Sequence, residues 1–352
     1  MKYQFVIISI IIAFIGCTDQ KKQITLVQDN CSEYAIVVSA NTDSLTQLAA
    51  MKLQDYVYKI TQVKLEIANE VTKNKNHILI GYELLKDSSL VLELDTLDED
   101  GFIIRTIGNN ILITGNNGKS NLYATYNFIE EFLGCRLLSV NEEYIPENDL
   151  IIIPEIKKTY EPAFSFRRTL FPGMYNEKYS YWHRIENLDK WGSFVHTFRK
   201  LIPPEQYFEE HPEYFSLIGD NRLSDAQLCL SNPEVIRVLK ENLRKEIEKK
   251  PDKKYWSVSQ NDCINYCECD DCEAMYNDFG NISGAYIYMA NELAKEFPDK
   301  QISTLAYQFT RSAPQNIAPL ENVNIMFCSI ECNRSMPLAD DPRSKGFVID
   351  MK

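Results

Sequence analysis

The sequence predicts an α/β protein in two parts: a small N-terminal α/β domain over 24–160, then over 161–352 a parallel (β/α)8-type barrel. Three observations carry this expectation. From Ile24 to Tyr160 the apolar period switches repeatedly between two and 3.6, as short strands and helices in one layered module require. Beyond a linker marked by Pro154, Lys157-Lys158 and Pro162, strand and helix patterns alternate singly. No Gly-rich fingerprint follows the first strand of that second part, which argues against a doubly wound sheet. Residues 161–352 fall short of the about 250 that a complete barrel takes, so the barrel is expected to be incomplete, with about six strands.

The first segment stands outside the fold. Lys2 is followed by an almost unbroken apolar run, Phe5 to Ile15, and then by Gly16-Cys17, the pattern of an export signal over 1–16. The run is too short to span a bilayer comfortably.

In the N-terminal domain, Tyr34 to Ser39 reads as a strand. A helix follows with Leu45, Leu48, Ala49, Leu53, Tyr56, Val57 and Ile60 on one face, and Asn41, Thr42 and Asp43 are its capping candidates. His77 to Gly81 is a second strand, with His77 a strand residue. Gly101 to Ile107 and Ile111 to Gly115 make a hairpin across Gly108-Asn109-Asn110. The next helix carries Leu122, Tyr126, Ile129 and Leu133 and stops at Gly134. Between hairpin and helix, Gly115-Asn116-Asn117-Gly118-Lys119-Ser120 has only two residues between its glycines, where a phosphate-binding loop needs four, so it reads as a turn.

In the second part, Phe164 to Phe171, Gly192 to Phe198 and Ala226 to Leu230 read as strands one to three. Asn232-Pro233-Glu234 opens a helix with Ile236, Leu239, Leu243 and Ile247 along its buried face. Tyr255 to Gln260 is strand four. Ser283 caps a helix carrying Ile287, Ala290, Ala294 and Phe297, and Gln301 to Gln308 and Val323 to Ile330 are strands five and six.

Composition bounds the function. With 37 Lys+Arg against 50 Asp+Glu the formal charge is −13, so a nucleic-acid partner is excluded on electrostatic grounds. An apolar fraction of 45% with 25% charged residues is globular, neither disordered nor a polytopic membrane chain.

Several stretches resemble known families. Phe14-Ile15-Gly16-Cys17 resembles a bacterial lipobox, which implies lipidation at Cys17, a tether over 17–23 and a lipid-anchored place in a Gram-negative envelope. The run Asp100-Gly101-Phe102-Ile103-Ile104 through Ile113-Thr114-Gly115, with Tyr123 to Glu130 and Gly134-Cys135-Arg136, resembles the N-terminal domain of α-glucuronidases and β-hexosaminidases, an accessory module packed beside a barrel. Trp191 to Phe198, His211-Pro212-Glu213-Tyr214-Phe215, Gln227 to Pro233, Ser257 to Asp262, Cys267 to Cys272, Leu305 to Gln308 and Cys328 to Cys332 together resemble a family of secreted bacterial proteins. That family carries domain of unknown function 4838 and is similar to glycoside hydrolases. The resemblance implies a barrel of glycosidase type and a carbohydrate partner, and it transfers no catalytic residue.

The candidate chemistry comes from strand ends, since barrel active sites lie at the C-terminal face. His196, Asp262, Gln308 and Glu331 fall there, with Asn261 beside Asp262. Glycoside hydrolysis needs two carboxyls across the scissile bond, and Asp262 and Glu331 fit that need. His196 is a candidate for binding a sugar hydroxyl or a substrate carboxylate, Asn261 and Gln308 for binding substrate, and Trp191, Trp256 and Tyr307 for stacking on sugar faces. The structural alternatives are that Asp262 caps a turn, Glu331 pairs with Arg334 and His196 belongs to the core. A non-catalytic carbohydrate-binding or degenerate barrel is the alternative function.

The loop after strand four holds Cys263, Cys267, Cys269 and Cys272, dense enough for a disulfide pair or for a structural zinc ion. No histidine lies near enough to complete a catalytic metal site, and the proposed chemistry itself requires no cofactor.

Overall fold

The computed structural model describes residues 23–81, 87–186 and 188–351. The export signal, Cys17 and all of the tether before Gln23 lie outside them. Two compact units divide the chain, Met1–Asn187 and Leu188–Lys352.

The first unit is built on a six-stranded mixed sheet in the order Lys157–Tyr160, Phe102–Ile107, Asn110–Gly115, Asn76–Ile80, Tyr34–Val37, Glu66–Ala68. The last four of these run parallel to one another, and the Phe102–Ile107 and Asn110–Gly115 strands form the expected antiparallel hairpin. Side chains alternate across the sheet as a period of two demands. Phe102, Ile104, Ile111, Ile113, Ile78 and Ile80 face the main core, whereas Ile103, Leu112 and Leu79 meet Leu94 of the Ser88–Asp95 helix on the other face.

Helices Ser44–Thr61 and Gly118–Glu131 cover the main face. Asp43 caps the first, accepting from the backbone N–H of Leu45 (2.8 Å) and Thr46 (3.0 Å). The second starts against that cap: a Cβ on Gly118 would sit 1.8 Å from Asp43 Oδ1, so the glycine permits the close approach of the two helix starts. Residues 161–186 pack on this unit too. Trp182, on the short helix Glu177–His183, is fully buried with its ring 5.4 Å from Tyr56 and 5.0 Å from Tyr126.

Phe164 to Phe171, read from sequence as a first barrel strand, pairs with no strand. Phe164, Leu170 and Phe171 face outward, with Leu170 84% exposed, and Arg167 donates to the Phe164 carbonyl within the segment.

The second unit holds four parallel strands in chain order, Trp191–Ser193, Tyr255–Ser257, Gln301–Ala306 and Val323–Phe327. The sheet is α/β in character, and among the described residues it is open: it does not close into a barrel. Helix Pro233–Lys249 begins where Asn232 caps it, and with helix Ser283–Glu296 it packs Leu239, Leu243, Met289 and Leu293 around Trp256 and Ile302. Ala226 to Leu230, read as a third strand, is buried but irregular, with one isolated bridge from Leu228 to Phe215. Its backbone finds loop partners instead: Gln227 N–H donates to the Asn265 carbonyl, and Ala226 O accepts from the Asn261 side chain. No helix among the described residues is long and apolar enough to cross a membrane.

Candidate functional site

Three of the four parallel strands deliver polar side chains from their C-terminal ends, where the backbone leaves the ladder abruptly. Val195, His196 and Gln308 all adopt left-handed backbone, at φ 34°, 48° and 51°. Such positions cost about 1–3 kcal/mol each and persist only where surrounding bonds impose them. Here the imposing bonds are visible. Thr197 and Phe198 N–H both donate to the Ser259 carbonyl, Thr197 Oγ1 donates to Ser257 O, and Ser259 N–H donates back to Thr197 Oγ1.

This stitching holds His196 at the surface with Nδ1 2.8 Å from the Gln260 carbonyl. A carbonyl only accepts, so Nδ1 carries a hydrogen and Nε2 is the ring nitrogen left to meet a ligand. The ring centroid lies 6.0 Å from that of Tyr307. Tyr307 Oη donates to Asp262 Oδ1 (3.0 Å) and accepts from Gln308 Nε2 (2.9 Å). Burial first, then the Asp262 bond and charge, with lesser pushes from Cys328 and Glu331, raise the phenol above its usual range. Asp262, Tyr307, Gln308 and His196 therefore share one neighbourhood at the C-terminal edge of the sheet, whereas no hydrogen bond among the described residues ties Glu331 to them.

Other expected residues are placed differently. Asn261 is buried with its side chain used up by backbone: Oδ1 accepts from Arg199 N–H and Nδ2 donates to Ala226 O. It anchors the segment that carries Asp262. Trp191 opens its strand at the N-terminal end, buried and stacked on Tyr255 at 5.1 Å, and Trp256 is core. Arg334 donates to the Ser329 carbonyl. A cavity of about 440 Å3 beside the sheet, lined by Tyr286, Thr304, Ala306, Ile325, Phe327 and Arg311, is apolar and contains none of the expected site residues.

The cysteine loop is arranged around a residue outside it. Cys267, Cys269 and Cys272 converge with Cys229, and the four Sγ atoms all lie within 4.8 Å of one another. Cys263 points elsewhere, with its Sγ 3.2 Å from Gln227 Nε2. Hydrogen bonds from the Cys267 and Cys272 thiols pull the Cys229 thiol below its ordinary value despite burial, and bonds with Cys229 and then Cys272, followed by burial, push Cys267 up. Cys229 was missed in the sequence because 38 residues separate it from Cys267; its presence in the Gln227 to Pro233 motif was the available signal.

In the first unit, Lys119 of the glycine-flanked turn is held in an ionic network rather than offered to a ligand. Its Nζ lies 2.7 Å from Asp100 Oδ1 and 2.9 Å from Glu186 Oε1, and Arg167 Nη2 lies 2.6 Å from Asp100 Oδ2. Burial alone would raise the Asp100 carboxyl, but bonds from Glu186, Arg167 and Lys119 hold it below its ordinary range. Glu186 goes the other way, raised by burial and by the bond it shares with Asp100.

Comparison with known proteins places these units. Residues 19–128 match the glycosyl hydrolase family 67 N-terminus, and residues 137–352 match the family described as domain of unknown function (DUF4838). Similar solved structures include a chitobiase from Flavobacterium johnsoniae, at TM-score 0.43 and 10% identity over 87% of this chain and 53% of that one. A β-N-acetylhexosaminidase from Bacteroides fragilis NCTC 9343 aligns at TM-score 0.43 and 13% identity over 87% and 68%. A family GH115 4-O-methyl-α-glucuronidase with specificity for decorated arabinogalactans aligns at TM-score 0.41 and 10% identity over 86% and 45%. The chain thus spans about half the length of the chitobiase and less than half of the glucuronidase. No curated protein sequence matches it. The motif order from Trp191 to Cys332 and the match over 137–352, more than half the chain, agree: the protein belongs to the DUF4838 family.

Proposed function

We propose that this chain is an envelope lipoprotein of glycoside-hydrolase type, anchored through Cys17, whose second unit cleaves O-glycosidic bonds at the C-terminal edge of its parallel sheet. The observation that carries the reading is the Tyr307 hydroxyl bound to the exposed Asp262 carboxylate, and Glu331 is the second carboxyl of the proposal. Two carboxyls about one site are what this hydrolysis uses: one protonates the leaving oxygen, the other attacks or activates water. Tyr307, itself held by Gln308, fixes one oxygen of Asp262 and leaves the other for substrate. His196 Nε2 meets a sugar hydroxyl. The family 67 N-terminus match supports a carbohydrate substrate for the proposal.

The test is hydrolysis of aryl glycosides and oligosaccharides by the chain, compared with Asp262→Asn and Glu331→Gln. Each amide keeps the shape and removes the proton-transfer group, so turnover should fall on the order of 10²-fold or more. Saccharide binding by the wild type without any hydrolysis would replace the enzyme reading with that of a binding protein.

A further inference from the structure

We propose that Cys229, Cys267, Cys269 and Cys272 form a closed tetrathiolate site for one zinc ion, which clasps the segment carrying Asp262 to the start of the Pro233–Lys249 helix. The proposal stands whether or not the second unit turns over a glycoside.

The geometry is that of a cage. Cys229 Sγ lies 3.6 Å from Cys269 Sγ and 3.7 Å from Cys272 Sγ, and Cys267 Sγ lies 3.4 Å from Cys269 Sγ. Four sulfurs bound tetrahedrally at about 2.3 Å from zinc stand about 3.8 Å apart, close to these edges. A disulfide instead draws two sulfurs to about 2.05 Å, and its partners turn away from other thiols. Here every one of the four faces the same centre, and all are free thiols. Cys229, Cys267 and Cys272 are at most 3% exposed and Cys269 is half-buried, so four sulfurs complete the tetrahedron and leave no open position for a substrate.

The surroundings suit the charge. Four thiolates around a divalent cation leave two negative charges buried, and donors converge on the sulfurs. Leu217 N–H lies 3.3 Å and Arg222 Nη1 3.7 Å from Cys267 Sγ, while Ser231 Oγ lies 3.1 Å from Cys272 Sγ. Cys269 and Cys272 sit at the N-terminus of the Asp270–Phe279 helix, whose unpaired amides and dipole favour negative charge. An all-sulfur, closed, tetrahedral set selects zinc over magnesium or calcium, which take oxygen ligands.

The connectivity gives the site a purpose. Cys229 precedes one helix, and the other three follow the Tyr255–Ser257 strand, so the metal cross-links two loops that share no strand ladder. Between strand and cage lie Asn261 and Asp262. Gln227, two residues before Cys229, already grips that stretch through the carbonyls of Asn261 (2.9 Å) and Cys263 (2.7 Å). Zinc at the adjacent cage would fix the same two loops from the other end.

The experiment uses the full chain purified under reducing conditions. Elemental analysis should give one zinc per chain in the wild type and in Cys263→Ser, and loss of that zinc in Cys229→Ser. Exchange into cobalt should give the intense visible bands of a tetrahedral tetrathiolate. Because Cys229→Ser can fail to fold, alkylation of the wild type followed by mass spectrometry supplies a second reading. Cys229, Cys267, Cys269 and Cys272 should be protected until a chelator is added, whereas exposed Cys31 should react at once. Zinc retained in Cys229→Ser but lost in Cys263→Ser would overturn the ligand set. Disulfides among the four in a metal-free native chain would overturn the site.

Discussion

Replacing Lys119 by Met tests how the first unit holds its C-terminal segment. Lys119 bridges two carboxylates that are themselves nearly inaccessible, with the Asp100 side chain 4% and the Glu186 side chain 7% exposed. Methionine keeps the length and apolar stem of the side chain and removes the charge. Arg167 then remains as the near cation, 2.6 Å from Asp100 and 3.7 Å from Glu186. Breaking a buried pair in this way costs about 3–5 kcal/mol, because the partner charge stays buried without compensation. For a unit of this size that corresponds to a fall in Tm on the order of 10 °C.

The pH dependence follows from the three shifted groups. Asp100 is held below its ordinary 3.8, so its contribution is complete above that value and is lost as pH falls through the folded pKa. Lys119 is held above 10.5, so its contribution is complete below 10.5 and is lost as pH rises through its folded pKa. Glu186 is raised above 4.5, so stability declines as pH rises from 4.5 through its folded value. Without Lys119 both carboxyls take up protons more readily, and the deficit of Lys119→Met should shrink as pH falls. Glu186→Gln removes one of the two buried negative charges, and combined with Lys119→Met it should recover at least about 1 kcal/mol relative to additivity. Urea unfolding of the three variants measures all of this. A Lys119→Met chain within about 0.5 kcal/mol of wild type at neutral pH would refute the reasoning, since that is what a solvated surface lysine gives.

Two further outcomes are expected. Palmitate labelling of cells should mark the wild type and be lost in Cys17→Ala, and labelling unchanged by the substitution would remove the proposed anchor. Gly192→Ala places a Cβ 2.3 Å from the buried Trp256 ring, so the second unit should lose about 1–3 kcal/mol by overpacking, seen as a lower urea midpoint with an unchanged slope.

Local signals were legible wherever one element decides its own structure. Asn232 as cap, Pro233 in the first turn and the apolar spacing from Ile236 to Leu243 define the Pro233–Lys249 helix without reference to anything else. Asp43 and the hairpin about Gly108 are of the same kind. Ala226 to Leu230 shows where that reasoning ends. Its five residues are all buried, as in a core strand, yet its hydrogen bonds go to loops, and burial alone does not separate the two. Phe164 to Phe171 has strand-like composition, but Arg167 reaches Asp100, 67 residues earlier, and the segment follows that bond.

The same division runs through the candidate sites. The sequence marks Asp262, Glu331, His196 and Gln308 as polar residues after strands, while Asn261 and Trp191, which the sequence also offers for substrate, spend their groups on backbone and packing. By itself the sequence determined the residue types, the caps, the periods and the family motifs, because these are set by a few neighbouring side chains. Only the tertiary structure decided that Cys229 joins Cys267, Cys269 and Cys272 while Cys263 does not, that Tyr307 holds Asp262 across 45 residues, and that Lys119 is spent on Asp100 and Glu186. The physical reason is that thiols, phenols and ammonium groups interact over a few ångströms whatever their separation along the chain, and which of them come that close is fixed by how sheets and helices stack.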